Sequence, residues 1–147
     1  MKTKLKAMTL VELICVIAIV AVLITIGVMG MRGVRRFKAE RQIHTITGEL
    51  SDLRKRAMIT RSHTKMLFED DRYMIRYDEI EKTVPYEDDL IFVESNTAQG
   101  GNIISFSPSG RPSNSGTITF RVGKTAFNVI VAPVNGRIRM ERADEES

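Results

Sequence analysis

The sequence predicts an α+β protein in which a long N-terminal α-helix, with a transmembrane half and an amphipathic half, packs on a C-terminal antiparallel β domain. Three observations predict this fold class. Residues 13–31 form an apolar run without a formal charge, and a run of this length can cross a bilayer as a helix. Apolar residues then recur at helical spacing as far as residue 57. From residue 64 onward, short β-rich runs alternate with turn residues.

Length and charge limit the organisation of the chain. Its 147 residues leave room for one membrane segment and one modest β domain, but not for two further domains. The formal charge is +4, and removal of a leader with three lysines would leave +1. Basic residues are in excess over residues 32–65, and acidic residues over residues 69–94. These segments are either solvated surfaces or opposite patches through which neighbouring subunits of an assembly fix their register.

The apolar run is expected to be helical because of its lipid environment and not because of its intrinsic secondary-structure propensity. Its many β-branched residues would suit strands in water, but in lipid only a helix satisfies every backbone group within one segment. A secretory signal peptide is the less favoured alternative, because the run is longer than the roughly 7–15 residues of such a core and residues 27–30 (GVMG) match a small-residue cleavage site poorly. Basic residues flank both ends, so charge alone does not orient the segment. We place residues 1–7 in the cytoplasm and the β domain outside, as in a single-pass inner-membrane protein.

One acidic residue, Glu12, lies at the edge of the apolar run. A carboxylate near the hydrocarbon costs about 2.5–3.5 kcal/mol even by the gentler insertion scales. A plain membrane anchor has no use for such a residue. Glu12 therefore either snorkels to the headgroups or contributes to an interaction that the segment makes.

Residues 6–13, Lys-Ala-Met-Thr-Leu-Val-Glu-Leu, resemble the processing site of type IV pilins and type II secretion pseudopilins. The resemblance implies cleavage between Ala7 and Met8 by a prepilin peptidase, N-methylation of Met8, and an assembly role for Glu12. Ala7 stands where glycine is commoner, and Met8 where phenylalanine is commoner. The implied partners are other pilin or pseudopilin subunits, an inner-membrane assembly platform and membrane lipid. In a filament, the new amine of one subunit would approach Glu12 of its neighbour and set axial register.

The helix is predicted to continue past the apolar run. One apolar stripe has spacings of 3, 4, 3 and 4 residues and comprises Ile43, Ile46, Leu50, Leu53 and Ala57. We therefore predict one helix over residues 8–61, about 80 Å long at 1.5 Å per residue, with glycines as soft points. A coiled coil is the alternative interpretation of the stripe, although fewer than three heptads support it.

Seven short runs after residue 63 are candidate strands, separated by turn-prone segments. They cover residues 64–68, 73–77, 90–93, 103–106, 117–122, 126–132 and 137–140. The best hairpin joins residues 117–132 across Gly123-Lys124. Residues 95–102 are predicted to form a flexible loop.

The C-terminal half carries a second, looser resemblance. Residues 106–110 (FSPSG), 116–120 (GTITF), 129–132 (VIVA) and 136–139 (GRIR) are similar to those of minor pseudopilins of the GspH/FimT type. The resemblance implies a long helix packed on antiparallel sheets, in a subunit near the filament tip, and it is poorest over residues 70–101. The expected division is a leader at 1–7, a transmembrane and assembly helix at 8–31, its amphipathic continuation at 32–62, and the β domain at 63–147.

No motif predicts catalysis, a cofactor or a metal site. His44 and His63 lack metal-motif spacing, and we expect His44 to be packed or at the boundary of the helix stripe. Asp70-Asp71 and Asp88-Asp89 do not belong to an EF-hand-like loop. The run Ser107-Pro-Ser109-Gly110 lacks the strand–turn–helix context of a nucleophile elbow. We therefore expect that the protein is not an enzyme.

One basic motif supports an alternative function. In Gly136-Arg-Ile-Arg139, strand alternation places Arg137 and Arg139 on one face, with Ile138 inward and Arg142 extending the row. Aligned guanidiniums suit sequence-independent contact with DNA phosphates. Some minor pilins that this pattern resembles are DNA receptors for transformation. The plain interpretation is a solvated strand edge, and the acidic tail at 144–146 would repel DNA.

Three hypotheses follow. The first is a structural subunit of a type IV pilus-like or type II secretion filament. The second is a tip-located minor pilin that binds DNA through Arg137 and Arg139 for natural transformation. The third is a plain membrane-anchored domain without a role in a filament.

Overall fold

The computed structural model describes residues 10–144, apart from the side chains of residues 28, 29 and 144. Over these residues one helix, α1 (Leu10–Thr60), precedes nine strands. The strands are β1 (Thr64–Phe68), β2 (Arg72–Tyr77), β3 (Ile80–Pro85), β4 (Leu90–Thr97), β5 (Ile103–Phe106), β6 (Pro112–Asn114), β7 (Gly116–Val122), β8 (Thr125–Val131) and β9 (Ile138–Asp144). The predicted α+β class and the single long helix are both confirmed.

The chain divides into two compact units, one ending at Val34 and the other beginning at Arg35. The first unit contains the apolar run, which is helical throughout its described length. Its described side chains are all exposed, including Leu13, Ile17 and Leu23. By length and composition, this helix can cross a membrane.

The second unit holds the rest of α1 and two antiparallel sheets. The five-stranded sheet has the order β3-β2-β1-β5-β6, and the four-stranded sheet has the order β4-β7-β8-β9. Hairpin β7–β8 pairs Val122 with Thr125 across Gly123-Lys124, as the sequence predicts. Alternation along the strands directs one face of each sheet into the core; in β8, Phe127 and Val129 are buried while their neighbours are not.

The predicted helix stripe is buried against these sheets. Ile43, Ile46, Leu50 and Ala57 have 0% of their surface exposed, and Leu53 has 3%. They share one core with inward residues of both sheets. The stripe therefore packs on the chain's own β domain and is not available for the alternative coiled coil.

An aromatic cluster joins the two sheets at the core. Phe120 of β7 lies 6.0 Å from the ring of Phe68 on β1, 5.7 Å from that of Tyr86 and 6.1 Å from that of Phe92, all in edge-to-face geometry. Such contacts contribute about 0.5–1.5 kcal/mol each beyond their buried area. The aromatic side chains therefore fix the two sheets against each other.

Several predicted boundaries are wrong. Strand β3 was not predicted, because it is a largely exposed edge strand whose charged residues break apolar alternation. The short strand β6 lies in a segment predicted as a loop. Strand β4 extends beyond residue 93 to Thr97 after a bulge between Phe92 and Glu94, so the predicted loop at 95–102 begins too early.

Gly116 explains the extension of β4. A Cβ at this position would lie 2.0 Å from the carbonyl oxygen of Asn96, so only glycine permits this close approach of the two strands. His44 is also not where we expected it: its side chain is exposed and outside the buried stripe.

Candidate functional site

The predicted processing site, Ala7 and Met8, lies outside the described residues. Cleavage between them and methylation of Met8 stay predictions. The described part of the helix begins close to this site, at Leu10.

Glu12 lies in the first turn of α1 and is exposed. Apolar side chains, also exposed, follow it on every side of the helix. A helix that is apolar all round needs lipid or other apolar helices to cover it. Glu12 is therefore placed at the edge of a surface that must be covered from outside the chain.

A second region is built where three segments of the β domain meet. Arg54 of α1 donates through Nε to the carbonyl oxygen of Gly110, at 3.0 Å. Gly136, in the turn between β8 and β9, has a φ of +63°, and a Cβ there would lie 3.2 Å from both Arg54 Nε and Gly110 O. The glycine of the Gly136-Arg-Ile-Arg139 motif therefore allows its turn to pack on the helix and on the 107–111 turn.

A cleft of about 610 Å³ opens between α1 and the β8–β9 turn. We call it the basic cleft; it is lined by Ser51, Arg54, Lys55, Met58, Asn135, Gly136, Arg137 and Ile138. Three of these residues are cations, and none of the described lining residues is an acid. Lys55 lies 3.3 Å from Asp52, but both side chains are largely exposed, so this surface pair is weak.

The predicted arginine row is present only in part. Arg137 and Arg139 are exposed, while Ile138 packs against the core. Arg139 is paired with Glu141 of the same face at 3.0 Å. Arg142 does not extend the row, because strand alternation puts it on the opposite face, with its guanidinium 5.9 Å from the centre of the Phe127 ring.

Two acidic loops lie near Gln42, toward the other end of the packed helix from Arg54. The two acidic loops, residues 69–71 and 86–89, are joined by a hydrogen bond from Tyr86 N to Asp71 O at 3.0 Å. Gln42 of α1 holds the second loop, donating to Pro85 O and accepting from Glu87 N, each at 2.8 Å. Burial raises the pKa of the Tyr86 phenol, and the nearby charges of the first loop raise it further.

The histidines and the Ser107-Pro-Ser109-Gly110 run, which could suggest chemistry, have simple structural settings in the described part of the chain. His44 and His63 are exposed, and no metal-binding group of His, Cys, Asp or Glu occurs over residues 10–144. The hydroxyls of Ser107 and Ser109 are 2.9 Å apart, within a turn closed by Arg111 O. That arrangement stabilises the turn.

Sequence reasoning missed the partners of Arg137. Arg54 and Lys55 belong to the basic excess noted over residues 32–65, but only the folded chain brings them beside the β8–β9 turn. Sequence reasoning also could not predict that the two acidic loops lie side by side, because their proximity depends on the pairing of β2 with β3.

The fold defines a class of protein: one long N-terminal helix, apolar at its start, followed by an antiparallel β domain, a layout compatible with that of pilins. No protein-family model, curated protein or solved structure matches the chain.

Proposed function

We propose that this chain is a minor pilin or pseudopilin, a structural subunit of a type IV pilus-like or type II secretion filament. The observation that carries the proposal is α1 itself. It is one helix from Leu10 to Thr60, apolar and exposed at its start, and buried along a stripe in the β domain near its end. A helix of this kind can span the membrane before assembly and then pack against equivalent helices in a filament.

The mechanism begins with the leader. Cleavage between Ala7 and Met8 removes three lysines and creates an amine at the membrane face. The amine of one subunit pairs with Glu12 of a neighbour among apolar helices. Removing one member of such a buried pair typically costs 3–5 kcal/mol, so the pair selects one register against all others. The peptidase, the assembly platform and the other subunits are the partners that this mechanism requires.

Glu12 separates the proposal from a plain anchor. Lipid would cover the apolar surface of α1 equally well in a filament subunit before assembly and in a plain membrane anchor. An anchor gains nothing from a carboxylate that costs about 2.5–3.5 kcal/mol near hydrocarbon. A register-setting residue, by contrast, is useful only if its charge is retained at this position.

The test is filament incorporation of Glu12→Leu and Glu12→Gln in cells that contain the complete assembly system. We expect both variants to insert into the membrane and to be cut, but to be missing from the filament fraction. Glu94→Gln, an acid on the exposed face of β4, is the matched control and should assemble normally. Normal incorporation of Glu12→Leu would overturn the register-setting role of Glu12, and absence of the unsubstituted chain from the filament fraction would overturn the filament function itself.

Capture of DNA is the second candidate, and Arg137 is the observation that favours it, since it is exposed and lines a cleft with two further cations. The pairing of Arg139 with Glu141 weakens this candidate. A gel shift with the full chain in detergent tests it. DNA capture requires a salt-sensitive shift that is lost in Arg137→Ala with Arg139→Ala and kept in Arg121→Ala with Lys124→Ala. Without a shift at low salt, this candidate is removed.

A further inference from the structure

The second unit begins with a basic segment that the proposed function does not use. Residues 35–41 contain four cations and one acid, Glu40. The cations are Arg35, Arg36, Lys38 and Arg41. The apolar run ends at Met31, four residues before the first of them. That run can cross a membrane without these cations, so the span does not explain their presence just beyond it.

One of the four cations, Arg36, is engaged within the chain. Its Nε lies 3.2 Å from a carboxylate oxygen of Glu40, and a second guanidinium nitrogen donates to Thr125 Oγ1 at 3.2 Å. Thr125 follows the exposed Lys124 of the β7–β8 turn and is the register partner of Asp144, where β9 ends. Arg36 therefore holds this end of the four-stranded sheet and is not counted as a free cation.

The other three cations of the segment are exposed. Arg35 has no hydrogen bond or ion pair within residues 10–144. Lys38 and Arg41 line a small cleft that also contains Glu87, so this acid offsets part of their charge. The three cations still outnumber the acid beside them, and the segment keeps a positive charge that a partner can bind.

A large aromatic side chain is exposed among these cations. Phe37 has 65% of its surface exposed, whereas Ala39 and Ile43 on the packed face have 0%. Phe37 and Lys38 precede Arg41 by four and three positions, so these side chains lie on the side of the helix that the β domain leaves open. An apolar ring among lysines and arginines is typical of a helix segment that lies at a membrane interface.

The spacing along the helix matches the depth of the headgroup layer. This layer adds about 5–8 Å to each side of the hydrocarbon core. Arg35 follows Met31 by four residues, which is about 6 Å along an α-helix. Helical side chains lean toward the N-terminus of their helix, so Lys38 and Arg41 lean back toward the apolar run. All three cations can therefore reach the phosphodiester groups of lipids that surround the span.

We propose that residues 35–41 bind the headgroups of anionic phospholipids at the membrane surface from which the β domain emerges. Arg35, Lys38 and Arg41 contact the phosphodiesters, and Phe37 lies at the boundary with the acyl chains. Lipid accounts for both features at once, because headgroups bind the cations and acyl chains cover the ring, whereas DNA phosphates would leave the ring in water. The inference uses the membrane span of α1 but not the filament role.

Tryptophan fluorescence of the full chain in lipid nanodiscs tests the contact. Phe37→Trp gives the chain a single tryptophan, within the segment. The discs contain equal parts of phosphatidylcholine and phosphatidylglycerol, and one or the other carries quenching bromines close to its headgroup. We expect phosphatidylglycerol to quench at least about threefold more strongly, because each cation near an anionic surface favours contact with it. Added salt should lower this ratio.

Charge removal gives the specific control. In the Phe37→Trp background, Arg35→Gln, Lys38→Gln and Arg41→Gln together should bring the quenching ratio to about one. A matched control removes two arginines and one lysine, all exposed, from beside the last turns of α1, where Thr64 bonds to Leu53 O and Arg54 to Gly110 O. These changes are Arg61→Gln, Lys65→Gln and Arg111→Gln, and they should leave the ratio unchanged. Arg35→Lys with Arg41→Lys keeps the charge and should keep most of the preference.

Three outcomes contradict the inference: equal quenching by the two lipids, quenching by neither, or an equal loss of preference in the matched control. Quenching by neither lipid would place the segment against another protein chain or in water. A DNA gel shift that is lost in the three-residue variant, with DNA abolishing the lipid preference, would assign the cations to nucleic acid and also overturn the inference. Circular dichroism of each variant shows whether its β domain is folded.

The proposed function is read out separately. If the lipid preference is absent but filament incorporation still depends on Glu12, only the lipid contact is wrong. If the preference is present but the chain is missing from filaments, the filament role fails and the lipid contact stands.

Discussion

The first part of α1, up to Val34, is apolar around its whole circumference, whereas the second part, from Arg35, has one buried stripe with polar residues on both sides. Both are helical for different reasons. In the second part, the β domain buries the stripe and stabilises the helix from within the chain. In the first part, the described side chains are exposed, so the stabilising environment has to be lipid or other subunits. The same secondary structure is therefore stabilised from within the chain in one part and depends on an apolar environment in the other.

The largest expected effect comes from the buried stripe. Ile46→Ala should lower the free energy of unfolding of the β domain by about 2–5 kcal/mol, since a fully buried side chain leaves a cavity. Ile19→Ala, in the exposed part, should leave it unchanged. The measurement is urea unfolding in detergent, followed by tyrosine fluorescence: the chain has no tryptophan, and all three tyrosines lie in the β domain. If both variants lowered the free energy of unfolding equally, the claim that only the second part of the helix is stabilised by the β domain would be wrong.

A smaller effect tests the packing of the second part against the β8–β9 turn. Gly136 and Gly123 have similar positive φ angles, +63° and +61°, but a Cβ would be crowded only at Gly136. Both alanine variants carry the backbone cost, about 1–2 kcal/mol. Gly136→Ala should be destabilised by at least about 1 kcal/mol more, because the added methyl pushes on Arg54 and Gly110. Equal urea midpoints for the two variants would show that the turn is not held by the helix.

The smallest effect concerns glycines within α1 and has the opposite sign. Gly48 lies in the packed part with open space around its Cβ position, so Gly48→Ala should stabilise the β domain by about 0.5–1 kcal/mol. Gly33, also with open space, lies in the first part, and its alanine variant should leave the unfolding of the β domain unchanged. A stabilisation of similar size by Gly33→Ala would show that the two parts unfold together.

The parts of the fold that the sequence predicted correctly are those with strong local periodicity. The spacing of Ile46 and Leu50 indicated the buried face of α1, and Gly123-Lys124 indicated the β7–β8 hairpin. Strand β3 was missed because its stability comes from pairing with β2 at the sheet edge, for which no local apolar pattern is needed.

The candidate site was predictable only in its separate pieces. Glu12 stands out in sequence, because a charge beside an apolar run is conspicuous. The basic cleft does not, because Arg54 and Arg137 are far apart in the chain and meet through contacts at Gly110 and Gly136. The assignment of Arg142 to the row was wrong for a local reason: it is an odd number of residues from Arg137 and Arg139, so strand alternation alone puts it on the opposite face.

The most direct test of the filament role is mass spectrometry of the chain recovered from the filament fraction and from the membrane fraction of the same cells. The account predicts that chains in the filament begin at an N-methylated Met8, and that any chain still carrying residues 1–7 is found only in the membrane. An uncut chain in cells that contain an active prepilin peptidase, or an uncut chain within the filament, would contradict it.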